Sequence, residues 1–251
     1  MSQPKVFSII DKAVFDYDMF SSSLEGGARI LLGASGGKDS TLLAHYLSCR
    51  LKRFKTVQSD FHHKKTENPF FVQAVYIQTD FAPEFNPELA ELFKEWNIPL
   101  ETVKTDTLAR VKEGFKMSCY WCSNQRRKEL ISYALKNNFD VIVLGHHLDD
   151  VLETLIMNMT SKGSLETMPP VLKYKKYPLK LVRPLYYVPV NAVIEHADSE
   201  GWKKVTCTCT YQDNSGRKEA RKRLEALTDG DYSKKKHILD SLKHIDFDYL
   251  P

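Results

Sequence analysis

The stretch from Ala28 to Leu47, "ARILLGASGGKDSTLLAHYL", constrains this chain more than any other. A short apolar run stops at glycine, passes through two adjacent glycines, a lysine, an aspartate and a serine, and then resumes with helical periodicity. A run this short, bounded this way, suits a fully buried strand of a parallel sheet. When such a strand enters a glycine turn that opens a helix, backbone N–H groups and the positive helix end converge on one point, a ready site for phosphate. Gly36 and Gly37 carry no Cβ to block the approach, Ser35 and Ser40 add hydroxyl donors, and Lys38 adds positive charge. A purely structural turn is the alternative, but it has no need of this combination of side chains. The common P-loop is excluded, because it needs a longer spacer between its glycines and Ser or Thr directly after the lysine, where this chain has Asp39.

Further along, the same alternation of elements repeats. "FFVQAVYIQ", "PLETVKT" and "DVIVLG" are strand candidates, and "PELAELFKEWN", "RRKELISYALKNN" and "DDVLETLIMNM" are helix candidates. Strands alternating with helices predict an α/β fold: a doubly wound, mainly parallel sheet with helices on both faces and ligands at the C-terminal strand ends. Ahead of this core, Val6, Ile9, Ile10, Ala13, Val14 and Phe15 recur at helical spacing and predict an N-terminal helix over 5–19. Residues 52–69 are polar and basic and read as a surface insertion. A return strand is expected at Lys180 to Val182, a helix from Val190 to Gly201, and a basic helical tail over 211–251, all within one domain spanning 1–251.

Charge and composition narrow the class without deciding function. The net charge of +4 attracts polyanions only where it is concentrated on one surface. No apolar run reaches the roughly eighteen residues needed to cross a bilayer, and Asp11, Asp16 and Asp18 interrupt the N-terminus where a signal peptide is apolar. The reading is a cytoplasmic protein with no membrane partner. An odd count of 5 cysteines argues against a disulfide framework and for reduced thiols acting as ligands or reactive groups.

Three further motifs bear on chemistry. In "CYWCSNQRRKEL", Cys119 and Cys122 are spaced to grip one metal or cluster iron, although a redox pair or two unrelated cysteines fit the spacing too. The cationic run Arg126, Arg127 and Lys128 near a helix start is unfavourable unless an anion compensates. In "LGHHLDDVLETLIMNM", Asp149 and Asp150 either cap a helix or, with the two histidines, serve a Mg-nucleotide site. In "TCTCT", Cys207 and Cys209 alternate, so one of the two would face the C-x-x-C pair, while Cys49 reads as a buried thiol. The tail helix shows Ala220, Leu224 and Leu227 as an apolar stripe flanked by Arg217, Lys218, Arg221 and Lys222, with nucleic-acid contact or a solvated face as the two readings. Tyr174, Tyr177, Tyr186 and Tyr187 are candidates either for base stacking or for the core.

"SGGKDS" after a buried strand resembles the PP-loop of the ATP pyrophosphatase superfamily, with its adenine nucleotide alpha hydrolase-like fold. Taken with "CYWCSNQRRKEL", "LGHHLDDVLETLIMNM", "MPPVL", "VRPLYY" and a late cysteine before an arginine-bearing helix, the order of motifs resembles the TtcA family, the tRNA 2-thiocytidine synthetases. The resemblance implies ATP and Mg2+ as cofactors, adenylation of the C2 oxygen of an anticodon-loop cytidine, and its replacement by sulfur with a 4Fe-4S cluster. It implies nucleotide contacts from Ala34, Ser35, Gly36, Gly37, Lys38, Asp39, Ser40, Gly145 and His147, and a catalytic set of Lys38, Asp39, Asp150, Cys119, Cys122 and Cys209. Cys119, Cys122 and Cys209 are the implied cluster ligands. Cys209 is preferred to Cys207 because the family's late cysteine precedes an arginine by the separation seen here between Cys209 and Arg217. The implied partners are tRNA, a sulfur donor such as a cysteine desulfurase, and a second copy of the chain in a homodimer. Two other readings stand: an adenylating enzyme of the same loop class with a zinc site, and a non-catalytic nucleotide- or RNA-binding protein.

Overall fold

The apolar runs form a single sheet whose two faces are separated by the two-residue period of its strands. The structure is a computed structural model and describes residues 5–22, 27–60, 70–111, 118–202 and 215–249. The strands are β1 (Ala28–Ala34), β2 (Phe70–Thr79), β3 (Leu100–Thr105), β4 (Val141–Val143), β5 (Val171–Lys173) and β6 (Lys180–Val182). They lie in the order β3-β2-β1-β4-β6-β5. All neighbours run parallel except β5, which lies antiparallel on β6 at the edge. The helices are α1 (Lys5–Asp16), α2 (Lys38–Asp60), α3 (Pro87–Glu95), α4 (Cys119–Lys136), α5 (Leu148–Lys162), α6 (Val190–Ser199), α7 (Ser215–Thr228) and α8 (Tyr232–Ser241).

Alternation along the strands divides the core. Ile30, Leu32, Ala34, Val141, Val143 and Val182 face the larger core, which takes in α1, α2, α5 and α6. Their sequence neighbours Leu31, Ile142 and Leu181 face the smaller one, with Leu130 and Ala134 of α4. Both faces of β1 are therefore covered, which is why its sequence is apolar throughout rather than alternating. From β1 the chain winds outward through β2 to β3, then returns across α4 to β4 on the other side of β1. The direction of winding reverses between β1 and β4, where open α/β sheets form a crevice at their C-terminal strand ends. The N-termini of α2 and α5 directly follow β1 and β4, and α4 returns from the far end of β3, so all three helix starts lie at this end of the sheet.

The structure departs from the sequence reading in three places. α2 continues as helix to Asp60, well into the stretch read as an insertion. Its Lys, Arg, Phe and Gln residues carry a helix on intrinsic propensity without an apolar stripe, and no Gly or Pro interrupts them. Residues 61–69 lie outside the described set. β5 was not anticipated, being too short for a period to register. In α7 the buried line is Ala220, Leu224 and Thr228, whereas Leu227 is 63% exposed. A strict four-residue step replaces the expected stripe because α7 crosses α5 along one narrow seam. Of the two readings of the tyrosines, the core one holds for Tyr186 and Tyr187: both are buried, Tyr17 stands edge-on to Tyr186, and the Tyr187 hydroxyl donates to that of Tyr17 at 3.0 Å.

The C-terminal helices are locked to α5 by charge. Asp149, buried in the first turn of α5, accepts from Lys235 Nζ of α8 at 2.8 Å and from the Val190 N–H at the start of α6 at 2.8 Å. Lys235 is itself buried. Removing one partner strands the other charge in the interior, which typically costs about 3–5 kcal/mol. Lys235→Ala should therefore lower stability by about 3 kcal/mol in urea unfolding, and Asp149→Asn combined with Lys235→Met should recover much of that loss. A single-variant cost below about 1 kcal/mol would show that water, not Asp149, satisfies the lysine.

Candidate active site

At the end of β1 the predicted turn is built as its residues require. Gly36 has φ +76°, a left-handed conformation that an L side chain rarely adopts, and the Phe85 ring lies over it. Ser40, almost fully buried, ties the turn together: its hydroxyl donates to the Gly37 carbonyl at 3.0 Å and accepts from the Ser35 N–H at 3.1 Å. The Ser35 hydroxyl accepts from the Gly37 N–H at 3.3 Å. Thr41 adds a second hydroxyl to the Gly37 carbonyl at 3.0 Å. α2 starts at Lys38, so its leading N–H groups have no acceptors within the helix and open toward the crevice. Lys38 Nζ meets Asp39 Oδ1 at 3.0 Å, both side chains about a quarter exposed. Ala34 is the last residue of β1 and is buried beneath the turn.

The exit loop of β4 closes against this turn. A Cβ on Gly145 would lie 3.1 Å from the backbone carbon of Asp39 and from the nitrogen of Ser40, so the two loops touch backbone to backbone. His147 caps α5: its Nδ1 accepts from the Asp150 N–H at 3.3 Å while Asp150 Oδ2 accepts from the His147 N–H at 3.2 Å, a reciprocal capping box. The other Asp150 oxygen meets Arg217 Nη1 of α7 at 3.3 Å. Glu153, fully buried one turn further on, accepts from Arg221 Nε at 2.7 Å, with Arg217 Nε at 3.9 Å. Of the two carboxylates weighed between capping and nucleotide chemistry, Asp149 is structural, and Asp150 caps the helix at the mouth of the crevice.

One cationic group here escaped the sequence reading. Arg183, at the end of β6, is 4% exposed; it donates from Nη1 to the Pro169 carbonyl, and its Nε has no partner. Among the described residues it has no carboxylate within ion-pair distance, and burial, reinforced by Arg127, pushes its pKa down to about 10. His146, beside the cap, has a buried Nδ1 with no partner, and burial together with Arg183 lowers its pKa to about 4. The only prior signal was an arginine placed before proline at the end of a buried strand. Together Arg183, His146 and Arg127 give the crevice a donor-rich corner, with the Asp150 carboxylate acting on His146 from the α5 side.

The cysteines are distributed unevenly. Cys119 and Cys122 stand three positions apart at the start of α4, with Ser118 accepting from the Trp121 N–H as N-cap. Cys122 is a partly buried free thiol. That spacing at the sheet end shared with the glycine turn suits two thiolates on one cluster. Arg127, one to two turns on, acts on both Arg183 and His146, which places this part of α4 beside the ends of β4 and β6. Cys207 and Cys209 lie outside the described residues.

Residues 11–226 match the family of the PP-loop domain. The tRNA-cytidine(32) 2-sulfurtransferase of Legionella pneumophila (strain Paris) is 31% identical over 231 residues, covering 90% of this chain and 75% of that protein. The chain belongs to this branch of the PP-loop family. The tRNA-cytidine(32) 2-sulfurtransferase of Acaryochloris marina is 29% identical over 255 residues, covering 99% of this chain and 83% of that protein. Among solved structures, the U34-tRNA thiolase NcsA from Methanococcus maripaludis, which holds a 4Fe-4S cluster, superposes with a TM-score of 0.72 at 22% identity, over 96% of this chain and 80% of that one. The shared fold is thereby shown. The glycine turn, the Ser40 hydroxyl within it and the Gly145 contact all lie inside the matched PP-loop region.

Two consequences can be measured. Gly145→Ala must displace the Asp39–Ser40 backbone by a few tenths of an ångström, and ATP affinity should fall at least about tenfold in a nucleotide titration; unaltered affinity would mean that the two loops move independently. His146 takes a proton less readily folded than unfolded, so its contribution to stability is complete above about pH 6.5 and is lost as pH falls toward 4. His146→Gln should flatten the pH dependence of unfolding in that window by up to about 1 kcal/mol per pH unit.

Proposed function

We propose that this chain is an ATP-dependent tRNA sulfurtransferase that activates C2 of a cytidine in the anticodon loop as an adenylate and exchanges its oxygen for sulfur. The observation carrying this reading is that the chain matches 2-sulfurtransferases over nearly its whole length while its glycine turn and C-x-x-C helix start share one end of the sheet. Ser35, Gly36, Gly37, Lys38 and Ser40 hold the leaving pyrophosphate, and Asp39 positions Mg2+. Gly145 keeps the turn in place and His147 the start of α5; Asp150, joined to Arg217, orients the nucleotide-facing end of that helix. Attack of the C2 oxygen on the α-phosphate forms the P–O bond and releases pyrophosphate; sulfur then displaces AMP. The donor corner of Arg183 and His146 is suited to the phosphate charge of that leaving AMP.

Cys119, Cys122 and Cys209 would hold a 4Fe-4S cluster, which when bound supplies an iron without a protein ligand, open to the incoming sulfur. Support comes from the placement of α4 and from α7, whose Arg217, eight positions past Cys209, lies against Asp150. A sulfur donor such as a cysteine desulfurase and a homodimer belong to the same proposal.

The decisive measurement is mass spectrometry of tRNA nucleosides from a deletion strain. 2-Thiocytidine should vanish and return with the wild-type gene but not with Cys122→Ala or Lys38→Ala. An unchanged nucleoside profile would refute the assignment. In vitro, Asp39→Ala should shift the magnesium dependence of pyrophosphate release to higher concentration by about tenfold, whereas an identical profile would remove Asp39 from metal binding.

A further inference from the structure

Away from the crevice, two imidazoles meet inside an aromatic box. His45 of α2 and His196 of α6 approach through Nδ1 and Nε2 at 3.1 Å. Trp96 stacks on His45 with ring centroids 4.9 Å apart, Trp202 stands edge-on to both rings, and Phe7 closes the remaining side. The rings are thus held in orientation by packing, as ligand side chains must be. Glu200 follows His196 by one turn at the C-terminal end of α6 and is exposed. One ligand atom from each of His45, His196 and Glu200 lies within 4.8 Å of the other two.

We propose that His45, His196 and Glu200 form a divalent-cation site of the zinc class that bridges α2 and α6 and keeps one position open to solvent. Two nitrogens on a tetrahedral zinc, each about 2.0–2.1 Å from the ion, stand roughly 3.3 Å apart, close to the separation already present. Two imidazoles and a carboxylate are borderline ligands that favour zinc over magnesium or calcium. Cys49 lies one turn along α2 from His45 but outside the triad. An ion here fastens α6 to the helix that begins at the glycine turn, and it uses no residue of the crevice.

The test uses the full chain with Cys119, Cys122, Cys207 and Cys209 changed to Ser, so that those thiolates do not capture the metal. The cluster-loaded wild type serves as a second background should that protein not fold. Zinc competition against a chromophoric chelator should show one ion per chain, and cobalt should give d–d bands without a thiolate charge-transfer band. Glu200→Gln, at an exposed position, should weaken binding at least about tenfold, and His196→Gln should abolish it, while Cys49→Ser changes neither. Zinc should also raise the thermal midpoint, and Glu200→Gln should remove that rise. Absence of saturable binding, unaltered affinity in folded Glu200→Gln, or a charge-transfer band lost with Cys49 would each overturn the site.

Discussion

The contact on which the rest depends is the meeting of two backbones at the centre of the sheet. β1 and β4 are adjacent and parallel, and each exits into a turn that opens a helix. Because Gly145 has no side chain, its loop rests directly on Asp39 and Ser40. The glycine turn is therefore braced from within by the Ser40 hydroxyl and from beside by the β4 exit. Phosphate binding by backbone N–H groups works only if those groups are fixed before the anion arrives, since any reorganisation would be subtracted from the binding energy. Ser40 and Gly145 provide that fixation with neutral groups, and Lys38 and Asp39 pair with each other beside the turn.

Charge is handled differently at the two edges of the crevice. On the α5 side, every carboxylate is answered: Asp149 by Lys235, Asp150 by Arg217, Glu153 by Arg221. The basic tail that looks in sequence like a polyanion-binding face thus spends part of its charge inside the molecule, and Lys218 and Lys222 keep the outward positions. On the β6 side no carboxylate among the described residues pairs with Arg183. A buried guanidinium without a carboxylate is costly, and its survival there is understandable in a site that accepts phosphate.

The architecture was legible because it is written in periods. β1, β2 and the return strand at Lys180 to Val182 came through, as did α3 and the body of α5, since burial on two faces forces continuous apolar runs and burial on one face forces helical spacing. What failed to register obeys other rules. The far half of α2 is held by propensity rather than pattern, β5 exists only by pairing with β6, and Leu227 misled because α7 docks by a four-residue seam. The glycine turn could be read because its residue types are demanded by chemistry at one place. Arg183 could not, because its meaning depends on which charges are missing around it, and only the folded chain reveals an absence.

The histidine pair shows the same asymmetry more sharply. In sequence, His45 and His196 are single residues on apolar helix faces, each adequately explained as a satisfied core histidine. Folding brings them to hydrogen-bond distance and adds Glu200 at the open edge, whereas the aromatic box excludes water from the other sides. A neutral pair sharing one hydrogen bond uses a single donor and a single acceptor, so such a pair would be served as well by one histidine facing a serine or an asparagine. Two imidazoles whose nitrogens converge beside a carboxylate have a use for that convergence that a hydrogen bond does not require, and a cation is the partner that engages all three donors at once.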